Sequence, residues 1–127
     1  MKRGKWYQHS WKGDNNKSGG ICTNIGIHFF DLLTLLYGES VECSSTITND
    51  VASGWIKFKD AFVNWELRTD AVKPCRKLVI DGNEVDLTHG FEDLHTESYR
   101  MILSGEGFKL TDARASIELL NKIICAG

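Results

Sequence analysis

The sequence predicts an α+β fold: a largely antiparallel, open sheet of about five to six strands with helices on one face. Three observations lead there. A long segment near the start repeats apolar residues at helical spacing. The middle of the chain holds short runs that alternate apolar and polar residues, joined by turns too short for the crossover that parallel neighbours need. The last third returns to helical spacing. The length, 127 residues, suits one domain with a core that needs no disulfide or metal staple.

Taken in order, Lys5-Trp6-Tyr7-Gln8-His9 is rich in aromatics and predicts a short strand. Ser10 to Ser18 is polar, with an Asp-Asn-Asn cluster, and predicts a loop. From Gly19 or Gly20 to Tyr37 the apolar residues Ile21, Ile25, Phe29, Leu32, Leu33 and Leu36 fall at i, i+4, i+7 spacing, which predicts a helix held by that face; Gly38 supplies its stop. Strands are predicted for Val41–Thr48, Ala52–Lys59 and Ala61–Thr69. In the last, Val63, Trp65 and Leu67 alternate with Asn64, Glu66 and Arg68, the pattern of a sheet with one wet face. Lys59-Asp60 is a tight connection and predicts a hairpin. Arg76–Ile80, Asp81-Gly82-Asn83 and Glu84–Leu87 predict a second hairpin, because Asp-Gly suits the left-handed geometry of a two-residue turn. Leu94–Leu103 predicts a helix, and Thr111 is expected to cap a last one through Ile124, with Asp112 in its first turn.

Composition excludes several classes of function. Net charge is −2, so no global basic field points to nucleic acid or an anionic membrane. No apolar run reaches the length of a membrane span, and no charged-then-apolar segment at the start reads as a secretory signal. Cys22, Cys43, Cys75 and Cys125 form no C-x-x-C pair and are expected as free thiols of a cytoplasmic protein. His9, His28, His89 and His95 form no paired metal motif, so no metal is expected. Gly105-Glu106-Gly107 begins like a dinucleotide fingerprint, but the third glycine is absent and a helix precedes it, so it reads as a helix-terminating loop. One asymmetry stands out. Residues 1–17 carry a local +4, from Lys2, Arg3, Lys5, Lys12 and Lys17 against Asp14. That is either a solvated chain end or a basic rim for an anionic ligand. Binding of nucleic acid through this stretch, with Trp6, Tyr7 and Trp11 interleaved, is not expected.

Within the first helix, Asn24, His28 and Asp31 lie at i, i+4 and i+7, along one face. His28 can donate or accept a proton near neutral pH, Asp31 can orient it, and Asn24 can hydrogen-bond the same ligand. Gly19, Gly20 and Gly26 would let a ligand approach the backbone, and free N–H groups at the helix start would favour an anion. The competing explanation is a histidine satisfied in a core, with glycines that ease helix–sheet packing.

The stretch "RGKWYQHSWKGDNNKSGGICTNIGIHFFDLLTLLYG" resembles the second domain of the glucose–fructose oxidoreductase/inositol dehydrogenase (Gfo/Idh/MocA) family, whose mark is Gly-Gly followed by an (Asp or Asn)-x-Gly-x-His-x-x-Asp helix. Here that is Gly19-Gly20, Asn24, Gly26, His28 and Asp31. Arg3-Gly4-x-Trp6-Tyr7, Ser10-Trp11-Lys12-Gly13 and "LHTESYRMILSGEGFKLTDARASIELL" are most similar to the subgroup of UDP-N-acetylglucosamine uronate (UDP-GlcNAcA) 3-dehydrogenases of surface-polysaccharide (lipopolysaccharide) synthesis. The resemblance implies a dihydrodipicolinate-reductase-like substrate-binding and oligomerisation domain over residues 1–127, an excised part of a longer enzyme whose N-terminal Rossmann domain is absent here, and no turnover by this domain alone. It implies NAD or NADP as cofactor, bound mainly by that other domain, and a nucleotide-sugar substrate. It implies His28 as catalytic acid/base, with Asn24, Ser10, Lys12 and Lys17 as substrate-binding residues. Gly19, Gly20 and Asp31 are implied in support. It further implies a homodimer or homotetramer formed through the open sheet face, where Trp55, Phe58, Trp65 and Leu67 give apolar residues on both alternations. The alternative is a non-catalytic association or ligand-binding module that keeps the fold.

Overall fold

The computed structural model describes residues 9–70, 77–80, 82–87 and 93–127. The strand expected at Lys5–His9 lies outside them except for His9, as do Cys75, Asp81 and His89. The described elements are a one-turn helix α1 (Asn15–Ser18), a π-helical segment Cys22–Gly26 that runs directly into α2 (Ile27–Tyr37), strands β1 (Ser40–Ile47), β2 (Val51–Phe58), β3 (Phe62–Arg68), β4 (Lys77–Ile80) and β5 (Asn83–Asp86), and helices α3 (Leu94–Leu103) and α4 (Arg114–Cys125). The α+β class holds, with five strands among the described residues, every pair antiparallel. They are shared between two ladders, β1-β2-β3 and the hairpin β4-β5.

Register assigns the faces of the larger sheet. Ile56 stands opposite Val63, and Ala52 opposite Leu67. These residues, with Phe58 and Trp65, turn inward, where Ala52, Ile56 and Phe58 are fully buried. On the other face Trp55 stacks on Phe62, with ring centroids 5.5 Å apart. Aromatics therefore do occupy both alternations.

Two helical pieces cover the inner face. α4 buries Ser116, Leu119, Leu120 and Ile123, an i, i+3, i+4, i+7 stripe. It is fastened to β1 by the Ser45 hydroxyl, which donates to the Ile123 carbonyl at 2.6 Å, and by Lys122 Nζ, 2.9 Å from the Ser40 carbonyl. The long helix buries Ile21, Cys22, Ile25, Phe30 and Leu33. Burying each large side chain such as Phe30, Ile56 or Ile123 contributes roughly 1.5–3 kcal/mol.

The stripe on the long helix differs from the one its spacing predicts. After Ile25 the buried positions are Gly26, Phe30 and Leu33; Phe29 and Leu32 are half-buried and Leu36 is 50% exposed. The cause is the π turn, in which the Ile27 N–H bonds to the Cys22 carbonyl, five residues back. One extra residue in the turn advances the buried face by one position. Gly26 permits the resulting contact: a Cβ there would stand 2.7 Å from Phe30 Cε2 and 2.9 Å from Leu67 Cδ1. It thus serves helix–sheet packing.

Two further boundaries are corrected. Ser10–Ser18 is not a plain loop but a 3₁₀ turn, Trp11–Gly13, followed by α1. The last helix starts at Arg114, not after a Thr111 cap; the Asp112 carboxylate accepts from the Lys109 N–H at 2.7 Å and closes the preceding turn instead. Gly38 ends α2 with φ 77°, as expected, and Ser104–Gly105 ends α3. Among the described residues no helix is long and apolar enough to cross a membrane. Cys22, Cys43 and Cys125 are free thiols.

Candidate functional site

The site candidates lie in the strip that leads into the long helix and on the helix's first turns. Ser10 opens the strip: its carbonyl accepts from the Gly13 N–H at 3.0 Å and folds Trp11–Gly13 into a 3₁₀ turn. Lys12 is exposed on this turn, its Nζ 5.7 Å from the centroid of the Trp11 ring, a cation–π distance. Asp14 then caps α1, its Oδ1 accepting from the Asn16 N–H at 3.0 Å, and it pairs with Lys17 at 3.4 Å. Such an exposed pair is worth about 0–1 kcal/mol, so Lys17 can trade Asp14 for another anion at little loss. Asn15 Nδ2 donates to Asn49 Oδ1 at 2.8 Å and ties α1 to the β1–β2 turn.

Gly19 and Gly20 reverse the chain between α1 and the long helix, with φ of 72° and 81° in the left-handed region. At Gly19 a Cβ would also stand 2.7 Å from Thr23 Oγ1. Turn geometry thus explains both glycines without a ligand.

On the helix, Asn24 sits inside the π segment, and its Nδ2 donates to the Lys12 carbonyl at 3.1 Å. This bond brings together two residues that the sequence had picked out separately. His28, one turn further on, is exposed. In an unbroken α-helix it would lie three residues after Ile25 and seven after Ile21, at the edge of the buried side. The π turn carries it off that side. Asp31 is also exposed; its carbonyl accepts from Thr34 Oγ1 at 2.9 Å. Among the described residues no hydrogen bond or ion pair joins its carboxylate to His28.

Three features went unread in the sequence. Asp14 acts as a helix cap, although the Asp-Asn-Asn run was a cap signal. Asn49 anchors α1, with nothing local to reveal it. A cavity of about 170 Å³ lies between the long helix, β3 and the β4–β5 hairpin, bounded by Phe29, Phe30, Leu33, Trp65 and Leu78 among others. Trp65 Nε1 is buried without a hydrogen-bond partner among the described residues. None of Ser10, Lys12, Lys17, Asn24, His28 or Asp31 lines that cavity. The described residues hold no cluster of three His, Cys, Asp or Glu side chains.

What the strip and helix can do chemically is present two cations, an amide and an exposed imidazole to an anionic, hydroxyl-bearing ligand. The family model described as "Oxidoreductase family, C-terminal alpha/beta domain" matches residues 2–73. The WlbA (WbpB) dehydrogenase of Thermus thermophilus, solved in complex with NAD and UDP-GlcNAcA, is 42% identical over 94% of this chain, with a TM-score of 0.86. A second structure of that enzyme, with NAD and alpha-ketoglutarate, is 41% identical over 99% of this chain, with a TM-score of 0.85. The chain spans only 42–43% of the length of those two structures. With the family model matched over more than half of its residues, the chain belongs to the Gfo/Idh/MocA oxidoreductases, as their C-terminal α/β domain.

Proposed function

We propose that this chain is the substrate-binding half of an NAD(P)-dependent dehydrogenase that oxidises a ring hydroxyl of a UDP-N-acetyl-amino-sugar uronate, in the cytoplasm, for surface-polysaccharide synthesis. The observation that carries the reading is the exposed His28 on the helix whose Asn24 bonds the Lys12 carbonyl of the basic strip, in a chain 42% identical to a dehydrogenase solved with NAD and UDP-GlcNAcA.

The donor set fits the reacting end of such a complex and not the dinucleotide as a whole, since Gly105–Gly107 follows a helix and offers no phosphate cradle. NAD or NADP, held mainly by a partner domain, supplies the hydride acceptor. An imidazole nitrogen of His28 takes the hydroxyl proton, so negative charge grows on oxygen and hydride departs more readily from the carbon that bears it. Asn24 gives one of its two side-chain N–H groups to the Lys12 carbonyl, and its Oδ1 is left to accept from a sugar or ribose hydroxyl. Lys12 and Lys17, with the Ser10 hydroxyl, meet the uronate carboxylate or the diphosphate; lysine suits such a diffuse anionic target. Gly19 and Gly20 shape the approach, and Asp31 supports the helix. Subunits associate as a dimer or tetramer through the sheet face that carries Trp55 and Phe62.

The test is initial-rate kinetics on the enzyme that carries this domain, with UDP-GlcNAcA and NAD as substrates. Reduced nicotinamide should form with this sugar and not with UDP-GlcNAc, which lacks the carboxylate. Turnover on UDP-GlcNAc alone would overturn the substrate assignment.

A further inference from the structure

Asn24 was expected to touch the ligand. The geometry points to a further task, which rests on the reading above: we infer that Asn24 is a positioning residue whose side-chain N–H holds the Lys12 carbonyl and thereby sets the basic strip against the helix that carries His28. The bond spans twelve positions in sequence at 3.1 Å, whereas the turns within the strip are closed by local bonds such as Gly13 to Ser10 and Ser18 to Asp14. Local bonds give the strip its shape; the Asn24 bond gives it a place. A second amide, Asn15 on Asn49, fastens the strip further along. Lys12 sits at the first tie and Lys17 two residues past the second, so both ammonium groups swing from fixed roots.

The chemistry demands a donor at position 24. A backbone carbonyl only accepts, and an ionised carboxylate only accepts, so aspartate would set oxygen against oxygen. Asparagine is the isostere that both holds the carbonyl and keeps an acceptor for the ligand. The π turn adds to this, because it decides how the position-24 side chain is aimed.

Amide hydrogen exchange on this chain tests the tie directly. In Asn24→Ala and Asn24→Asp the Gly13 and Asp14 amides, which close the turn around Lys12, should exchange about tenfold faster, as expected for loss of one hydrogen bond. The Gly38 amide, bonded to Thr34 at the helix end, should stay as protected as in the wild type and certifies the fold. In Asn24→Asp, protection should return toward wild type as acid restores a donor to the carboxyl. In the whole enzyme both variants should raise KM for UDP-GlcNAcA more than they lower kcat. Unchanged exchange in both variants, or a wild-type pattern in Asn24→Asp at neutral pH, overturns the inference. So does faster exchange with an unchanged KM, since the strip would then be held but lie outside the site. Faster exchange in a protein whose wild type leaves UDP-GlcNAcA untouched would confirm the tie and sink the substrate reading instead.

Discussion

His28 faces solvent from the long helix, and the acid/base role proposed for it is open to direct test. Replacing it by Asn keeps the size and removes the proton acceptor. Loss of a positioned acid/base should lower kcat by about 10²–10⁴-fold. KM for the sugar nucleotide should move little, because the imidazole acts on a proton in flight rather than on the ground state. Steady-state rates of the whole enzyme check this. Cys22, at the start of the π segment, is buried. Burial raises Cys22 from 9.0 to about 11. Its protonated form therefore persists in the folded state above the pH at which the unfolded thiol ionises, so this contribution to stability is full below about pH 9 and falls as pH rises toward 11. Denaturation midpoints measured across that range should drop less in Cys22→Ala than in the wild type. Thiol reagents at neutral pH should label the exposed Cys125 and spare Cys22.

At the scale of elements, the π turn controls the site. It shifts the helix's apolar stripe so that Phe30 packs in place of Phe29, with Leu33 buried and Leu32 only half-buried, and it keeps His28 outside. Gly26 is the residue that makes this packing possible. In Gly26→Ala the new methyl meets Phe30 and Leu67 below 3.0 Å, and overpacking of this kind destabilises by about 1–3 kcal/mol. Urea denaturation should show the loss as a lower midpoint at unchanged slope. Much of the element pattern was legible in the sequence. Alternation in Val63–Leu67, the Gly82 turn and the stop at Gly38 are each set by a residue's own stereochemistry. The π turn was not legible, because helical spacing assumes a constant turn and a one-residue insertion leaves no local mark. The split into two ladders was equally hidden, since alternation marks a strand but not its neighbour. Asn24 and His28 could be singled out from spacing, yet the bond to Lys12 depends on where a chain reversal at Gly19-Gly20 returns the strip, which no local pattern states.

At the scale of the whole molecule, the larger sheet has a packed face and a second face on which Trp55 and Phe62 stack. α3 and the turn beyond it also present Leu103 and Phe108 to solvent, at 88% and 79% exposure. A contiguous apolar patch on a surface is a candidate interaction site. If the sheet face is the subunit contact, Trp55→Glu should shift the mass in light scattering toward the monomer while the circular dichroism stays unchanged. A wild-type mass in that variant would assign the contact elsewhere. The central claim is that the exposed imidazole does the proton chemistry of sugar-uronate oxidation. The most direct test compares reduced-nicotinamide formation from UDP-GlcNAcA by the whole enzyme in wild type and in His28→Asn. The account predicts turnover in the wild type and loss of nearly all of it in the variant, with substrate binding retained; equal rates in the two proteins would contradict it.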